Sequence, residues 1–372
     1  MKKILVIRFS SIGDIVLTTP VMRCLKNQLN DVELHVLTKK KFSNLYKKNP
    51  YVDKVFEYDD SLKKNIQELR HENYDYIVDL QKNKRSVRVT RSLHRPHSSF
   101  PKLNLKKFLL TTFKINILPD VHIVDRYFKA VEKLGVKNDY QGLDFFISEN
   151  NEYDISSLTQ EFHDGYYAFV IGGTYKTKIL PAVKIIEVIK KLNKPVILLG
   201  GPDDVERAEE VLSAVKSQKS ESKSESKSAL SSPSSVLVLS LVGKINLEQS
   251  ASIVKNADAV LTNDTGLMHI AAAFHKHIVS VWGNTVPEFG MYPYLPKEAE
   301  KCHIVECKDV RCRPCSKLGF RDCPKKHFRC MMQIDTEEVA RQLTMTIDTN
   351  TDNDTNTDND TDCGLNNNQL SW

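Results

Sequence analysis

Three short loops contain the residues whose types and spacing indicate chemistry. The first, residues 8–14, reads RFSSIGD and directly follows a compact apolar run. Gly13 lets the backbone turn closely, and Asp14 would place a carboxylate at the end of that strand, where open α/β sheets bind their ligands. The alternative is that Asp14 only caps the helix that follows.

The other two loops favour an anionic ligand. Residues 172–178 read GGTYKTK, which brings backbone N–H groups, hydroxyls and lysine amino groups together. Residues 263–269 read NDTGLMH, in which Asp264 or Thr265 suits a helix N-cap and Gly266 leaves the helix N-terminus open to a phosphate. His269 lies one turn further, on the same helix face as Thr265. Together the two loops predict a diphosphate site, although alone they read as an exposed turn and a structural histidine.

Strand and helix patterns alternate along the chain and would position these loops. Compact apolar runs predict strands, and amphipathic stretches predict helices between them. The predicted strands are Lys3–Ile7, Glu33–Leu37, Tyr76–Leu80, Ala168–Ile171, Val196–Leu199, Val236–Leu239, Ala259–Leu261 and Ile278–Val281. The alternation predicts the α/β class, with two doubly wound domains that face each other across a cleft and divide near residue 150.

Two segments stand outside this pattern. Residues 216–235 form a Ser/Lys/Glu repeat, and residues 348–372 form an Asp/Asn/Thr-rich tail, so both are predicted to be disordered. The predicted domains are therefore 1–150 and 151–347, with the insertion 216–235 and a Cys-rich segment, 302–330, in the second. No apolar run approaches a membrane span and the N-terminus does not resemble a secretory signal, so we expect a cytoplasmic protein.

Charge and missing motifs narrow the functional class. The 372 residues carry a net charge of +6, but the tail contains six aspartates and the rest of the chain is +12. A basic body favours phosphates, acidic lipids or nucleic acid as partners, or is simply a solvated lysine-rich surface. The sequence lacks G-x-G-x-x-G, P-loop and G-x-S-x-G motifs. These absences disfavour a standard NAD dehydrogenase, a P-loop kinase and an α/β-hydrolase.

Six of the eight cysteines lie between residues 302 and 330. Cys312, Cys315, Cys323 and Cys330 are spaced densely enough for a structural zinc site, with Cys307 and His327 nearby. A cluster of reduced thiols is the alternative, since a cytoplasmic chain keeps cysteines reduced.

The order and wording of seven segments resemble glycosyltransferase family 9, the ADP-heptose:lipopolysaccharide heptosyltransferases. They are ILVIRFSSIGDIVLTTPVMRCLK, YDYIVDLQKNKRS, HIVDRYFKAVEKLGV, GGTYKTKILPAVK, LLGGPDDVERA, NDTGLMHIAAA and CRPCSKLGFRDCPKKHFRCM. They occur in the family's order and span most of residues 1–335. The resemblance implies a GT-B architecture of two Rossmann-like domains, with the lipid-linked sugar acceptor on the N-terminal domain and the nucleotide-sugar on the C-terminal domain.

The resemblance also implies roles for single residues. Asp14 matches the catalytic base, and Lys178 would stabilise the departing diphosphate. The implied donor-binding residues are Gly173, Thr174, Lys178, Asp204 beside the ribose, Ile245 beside the adenine, Asp264, Thr265, Gly266 and His269. The acceptor side would be lined by Arg8, Ser10, Ser11, Gly13, Gln81, Asn83 and Arg85.

Two departures from the family pattern leave the donor sugar open. The family's Lys-x-Trp-Pro reads KILP at residues 178–181, and Asp204 stands where the closest characterised members have Glu. The donor is therefore ADP-heptose or another nucleotide-sugar. An ordinary Asp is a weak base, so we expect closure of the cleft to desolvate Asp14 and raise its pKa.

The resemblance thus implies a metal-independent, inverting glycosyltransferase that needs no cofactor and binds no nucleic acid. Its partners would be ADP-heptose and the lipopolysaccharide core at the inner membrane surface. Residues 100–113 mix basic and apolar side chains, which suits either an anionic membrane surface or an amphipathic core helix. The rivals are a zinc-dependent nucleic-acid-binding protein and a nucleotide-sugar epimerase.

Overall fold

The structure, a computed structural model, describes residues 1–59, 61–221 and 236–345. Its first half contains a five-stranded parallel sheet in the order β3-β2-β1-β4-β5. The strands are β1 (Lys2–Ile7), β2 (Val32–Lys39), β3 (Lys54–Tyr58), β4 (Tyr76–Asp79) and β5 (His97–Ser99). The helices of this half are α1 (Ile12–Val16), α2 (Thr19–Gln28), α3 (Asn44–Lys47), α4 (Leu62–His71), α5 (Lys84–Leu93), α6 (Asn104–Phe113) and α7 (Ile123–Phe128).

The second half contains a six-stranded parallel sheet in the order β11-β10-β9-β6-β7-β8. Its strands are β6 (Tyr167–Val170), β7 (Val196–Leu199), β8 (Val238–Ser240), β9 (Ala259–Asn263), β10 (His277–Trp282) and β11 (Cys302–Glu306). Its helices are α8 (Ala182–Ile189), α9 (Val205–Glu221), α10 (Leu247–Asn256), α11 (Gly266–Ala273), α12 (Arg329–Met332) and α13 (Thr336–Thr344).

The central strands are apolar because helices cover both faces of each sheet. All four residues of β6 and of β7 are buried, as are all five of β9. Such strands cannot alternate apolar and polar residues as a half-exposed strand does, so they read in the sequence as continuous apolar runs. This confirms the predicted α/β class and the two parallel sheets.

The strand orders place the three chemical loops at equivalent positions. In the first sheet the order reverses between β1 and β4, so the loops that follow these two strands flank one crevice. In the second sheet the reversal lies between β6 and β9, which precede the loops 171–178 and 264–265. Each half therefore presents its polar loops at the carboxyl edge of its sheet.

Several elements differ from the predicted ones. Strands β3, β5 and β11 were not predicted, because these short edge strands lack a compact apolar run. Helix α7 ends at Phe128, and a separate 3-10 turn covers Glu132–Leu134. Helix α9 extends to Glu221, into the segment predicted as an insertion. The rest of that segment, 222–235, and the predicted tail lie outside the described residues.

The division near residue 150 stays a prediction, although the two sheets lie on either side of it. The connection is anchored by Arg23 of α2, whose guanidinium forms ion pairs with Asp139 and Asp144 and donates to the carbonyl oxygen of Gly142 at 2.9 Å. Within the described residues, no helix is both long and apolar enough to cross a membrane.

Candidate active site

The loop after β1 holds the predicted base within a hydrogen-bonded turn. Ser11 is the N-cap of α1, and Asp14 is the third residue of that helix. The Asp14 carboxylate accepts hydrogen bonds from the Ser11 backbone N–H at 3.1 Å and from the Ser11 hydroxyl at 2.8 Å. Asp14 therefore does cap the helix, as the simpler interpretation expects, but its second carboxylate oxygen pairs with Arg8.

Arg8 is buried and forms an ion pair with Asp14. Its guanidinium pairs with Asp14 and also donates to the Leu80 carbonyl oxygen at 2.6 Å and to the Tyr127 hydroxyl at 3.1 Å. Only 5% of Arg8 is exposed. Its charge is thus compensated within the protein, and its predicted contact with the acceptor stays a prediction.

The charge balance around Asp14 differs from the expected one. Burial by itself raises the pKa of the Asp14 carboxyl, but the Arg8 charge and the Ser11 hydrogen bonds outweigh it and hold that pKa below its ordinary value. We expected desolvation to raise the pKa of Asp14 above its ordinary value. Asp14 is instead ionised at neutral pH, which leaves it able to accept a proton at the cost of intrinsic basicity.

The second half of the site is a lysine beside an open helix end. Lys178 follows β6, and its Nζ lies 2.5 Å from Oδ2 of Asp264, which follows β9. The Thr285 hydroxyl donates to the same Asp264 oxygen at 2.9 Å. Thr265 is the N-cap of α11 but forms no side-chain cap, so the first backbone N–H groups of this helix are free for an anion.

The two halves meet where Gly13 of α1 packs against α11. A Cβ atom on Gly13 would lie 2.6 Å from Cδ2 of His269 and 3.3 Å from the Cα atom of Gly266. A Cβ atom on Gly266 would lie 3.0 Å from Ile12. Both positions therefore require glycine for this approach, which brings the Asp14 loop to the N-terminus of α11.

His269 lies inside this contact and is uncharged. It is almost fully buried, and its Nδ1 atom forms no hydrogen bond. Burial lowers its pKa to about 4, even though the charges of Asp264 and Asp14 oppose this shift. A neutral imidazole adds no positive charge to the site, so Lys178 is the cation on the donor side.

Two of the predicted acceptor residues, Gln81 and Asn83, form hydrogen bonds with backbone N–H groups. The Gln81 side-chain oxygen accepts from the Phe9 backbone N–H at 2.8 Å, which ties the loop after β4 to the loop after β1. Asn83 caps α5 by accepting from the Arg85 and Ser86 backbone N–H groups. The Arg85 side chain is exposed, and Ser10 and Ser11 lie at the open side of the first loop.

The remaining donor residues lie along the carboxyl edge of the second sheet. Gly173 approaches Thr265, Thr174 is exposed, and Ile245 packs at the edge of the core. Asp204 is buried, and its two oxygens accept from the Gly201 backbone N–H at 2.9 Å and from Arg207 at 2.8 Å. Because both oxygens are occupied, its role beside a ribose stays a prediction.

Two lysines near Asp14 were missed by the sequence analysis. Lys107 of α6 is half-buried, with its Nζ 5.3 Å from the centre of the Phe289 ring. Burial and the charge of Arg126 lower the pKa of Lys107 to about 7. Burial and Arg8 also lower the pKa of Lys102. The sequence marks this stretch as basic and apolar, but only the fold shows which lysines turn toward the site.

The Cys-rich segment packs against the donor loop. The Thr177 hydroxyl accepts from the Phe320 backbone N–H at 2.8 Å. Cys312 Sγ lies 3.7 Å from Nε2 of His327. Among the described residues, the one group of three ligand atoms close enough to share a metal ion is Glu33, His35 and Glu72, and none of these is a cysteine. The predicted zinc site stays a prediction.

Comparison with solved structures defines the class of fold. This chain is similar in fold to the structure of E. coli ADP-heptose lps heptosyltransferase II. The match covers 92% of this chain and 97% of that structure, with a TM-score of 0.64 and 22% identity. A second match, to E. coli heptosyltransferase WaaC with ADP, covers 91% of this chain and 98% of that structure, with a TM-score of 0.58 and 20% identity. The fold is therefore that of a GT-B glycosyltransferase.

Sequence comparison defines the family. Lipopolysaccharide heptosyltransferase 1 of Campylobacter coli is 26% identical over 309 residues, which are 76% of this chain and 84% of that protein. The profile of glycosyltransferase family 9 (heptosyltransferase) matches residues 62–319. The chain belongs to glycosyltransferase family 9, as the seven segments predict, and it is an enzyme of the transferase class.

The contact at Gly13 predicts the effect of a single methyl group. Gly13→Ala should lower the free energy of unfolding by about 1–3 kcal/mol, because the new Cβ atom forces α1 away from His269. Gly201→Ala is the matched control, since its nearest neighbour would lie 3.8 Å away and its backbone suits any residue. Urea unfolding measures both. Equal stability of the two variants would show that α1 and α11 are not in tight contact.

Proposed function

We propose that this enzyme transfers heptose from ADP-heptose to a sugar hydroxyl of the lipopolysaccharide inner core, with inversion at the anomeric carbon. The observation that carries this proposal is the packing of the Asp14 loop, at Gly13, against the N-terminus of α11, where Lys178 pairs with Asp264. A proton acceptor comes from one sheet and an anion-binding end from the other. The Campylobacter coli relative is described as a heptosyltransferase, which supports heptose as the transferred sugar.

Asp14 acts as the base in this mechanism. Its ionised carboxylate accepts the proton of the acceptor hydroxyl as the oxygen attacks the anomeric carbon of the donor. The bond between that carbon and the ADP oxygen breaks in the same displacement, and ADP leaves with the bonding electrons. A single displacement of this kind inverts the anomeric configuration.

The donor end stabilises the charge that develops on ADP. Lys178 offers a cation, and the first backbone N–H groups of α11, at Gly266 and Leu267, have no side-chain cap from Thr265. Preorganised donors of this type each contribute about 3–4 kcal/mol to the transition state. In the free enzyme Asp264 holds Lys178 in place, and Thr285 in turn orients Asp264.

The assignment of the remaining groups follows the two sheets. The C-terminal half, with Gly173, Thr174, Asp204 and Ile245 around the nucleotide, binds the donor. The N-terminal half binds the acceptor through Arg85, whose positive charge suits an acidic core sugar, and through the half-buried Lys102 and Lys107. We place the enzyme in the cytoplasm at the inner membrane surface.

Two alternatives differ in their products. A donor other than ADP-heptose remains open because KILP replaces the family's aromatic motif at residues 178–181. The family match supports neither the nucleic-acid-binding protein nor the epimerase. A transfer assay with ADP-, UDP- and GDP-sugars separates the donors.

The base is tested by Asp14→Asn. We expect kcat for transfer from ADP-heptose to fall by about 10²–10⁴-fold, because the amide cannot accept the proton. The dissociation constant for ADP should stay within about twofold, since Asp14 lies on the acceptor side. Mass spectrometry of the product and calorimetry with ADP measure the two quantities. Full turnover in the variant would remove Asp14 as the base.

The donor cation is tested by Lys178→Ala, with Lys176→Ala as the control. Lys176 lies in the same loop but is exposed. Removal of Lys178 should weaken ADP binding about 10–100-fold, because charge-assisted contacts to a phosphate contribute about 1.5–3 kcal/mol. Calorimetry measures both dissociation constants. Equal ADP affinity in the two variants would contradict the proposed donor site.

The Arg8–Asp14 pair predicts a pH dependence. In the wild type the pKa of Asp14 is below the ordinary 3.8, so transfer should show no acid limb from Asp14 above about pH 5. In Arg8→Gln only the Ser11 hydrogen bonds still oppose burial, so that pKa rises and the rate should fall as the solution becomes mildly acidic. Arg88→Gln, exposed on α5, is the control. Identical acid limbs in all three proteins would exclude Arg8 as the group that keeps Asp14 ionised.

A further inference from the structure

Helix α6 presents its apolar side chains to solvent. Leu105 is 72% exposed, Phe108 is 47% exposed and Phe113 is 60% exposed, whereas only Leu110 of this helix is buried. The side that faces the protein carries Lys107, half-buried against Phe289. A surface helix in a globular protein usually buries its apolar stripe and exposes its lysines, whereas α6 exposes three large apolar side chains and half-buries Lys107.

The exposed apolar surface continues beyond the helix. Ile115 and Ile117 follow α6, and Leu318 of the Cys-rich segment is 63% exposed. The two stretches are joined, because Lys114 Nζ donates to the Pro314 carbonyl oxygen at 2.7 Å and Lys317 Nζ donates to the Asn104 carbonyl oxygen at 3.2 Å. We call Leu105, Phe108, Phe113, Ile115, Ile117 and Leu318 the apolar ridge.

Exposed large apolar side chains are concentrated in and around the ridge and are scattered elsewhere on the protein. Fourteen large apolar side chains are exposed in the described residues, and eight of them lie in the stretches 105–121 and 318–320. Two aromatic rings of the ridge, Phe108 and Phe113, touch edge to face with centroids 6.0 Å apart. Single exposed apolar residues need no explanation, but a contiguous group of this kind marks an interaction site.

The border of the ridge is positively charged. Residues 102–121 contain four lysines and one aspartate, and residues 311–329 contain seven basic residues and one aspartate. Lys114 and Lys317 donate to backbone carbonyl oxygens, and in the described part of the chain neither forms an ion pair with a carboxylate. Their charges are therefore available to an anionic surface.

We propose that the apolar ridge and its basic border bind the surface of a membrane that contains anionic lipids. Aromatic and aliphatic tips that enter the headgroup region, bordered by lysines that reach lipid phosphates, are the pattern of an interfacial helix. A protein partner would not need this density of uncompensated lysines around the apolar tips. The charge complementarity therefore favours lipid.

The position of the ridge links the membrane to the reaction. Lys107, on the inner face of the same helix, is close enough for the Asp14 charge to act on it. A helix that lies on the membrane would thus bring the acceptor side of the site to a lipid-anchored substrate. This inference deepens the proposed function, but it rests on exposure and charge rather than on the reaction itself.

Vesicle flotation of the full chain tests the proposal without donor or acceptor. The wild type should float with phosphatidylcholine vesicles that contain phosphatidylglycerol, and at least about tenfold less with phosphatidylcholine alone. Phe108→Ser/Phe113→Ser should lower the partition coefficient about tenfold or more, because two aromatic side chains no longer enter the interface. Lys106→Gln/Lys325→Gln, which leaves the contacts between the two stretches in place, should lower it for anionic vesicles alone. Val183→Ser/Met332→Ser, exposed apolar residues outside the ridge, is the matched control and should bind as the wild type does.

Thermal unfolding and ADP binding verify that each variant is folded. Equal flotation of the ridge and control variants would overturn the proposal. A concentration-dependent dimer in sedimentation, lost in the ridge variant and unaccompanied by flotation, would overturn it in favour of a second copy of the chain. Flotation without any heptose transfer would refute the proposed function alone. Transfer to a water-soluble acceptor fragment without flotation would refute this inference alone.

Discussion

The close approach of Gly13 to Gly266 and His269 is the constraint on which the site depends. Two sheets that lie far apart in the sequence each present polar loops at their carboxyl edges. Those loops make one site only where a short helix of the first half reaches the N-terminus of α11 without an intervening side chain. The contact sets how near Asp14 lies to the N-terminus of α11, and it buries His269 as an uncharged ring.

Asp14 is held in a state that favours ionisation over basicity. Burial and the Arg8 charge push the pKa of its carboxyl in opposite directions, and the Arg8 charge together with the Ser11 hydrogen bonds prevails. A base with a low pKa is intrinsically weak, so the rest of the rate must come from orientation and from the stabilised leaving group. In the proposed mechanism, Lys178 and the N-terminus of α11 supply that second contribution. The two halves of the site therefore depend on each other chemically as well as sterically.

The sequence predicts the buried strands and the polar loops well, because both depend on local patterns. The apolar run before Arg8 and the loop around Thr265 are visible in the residues themselves. Contacts between side chains that lie far apart in the sequence are not visible in this way. The local sequence does not show that Arg8 forms an ion pair with Asp14 or that Arg207 forms one with Asp204. It also does not show that Lys107 faces the protein while Leu105 faces solvent. These outcomes depend on which elements the fold brings together, and the short edge strands were missed for the same reason.

The decisive measurement is a crystal structure of the enzyme with ADP. We predict that the diphosphate lies within hydrogen-bond distance of Lys178 Nζ and of the backbone N–H groups of Gly266 and Leu267. Asp14 should remain paired with Arg8 on the opposite side of the same cavity. An ADP molecule bound away from the N-terminus of α11, or separated from Asp14 by the width of a domain, would contradict the account.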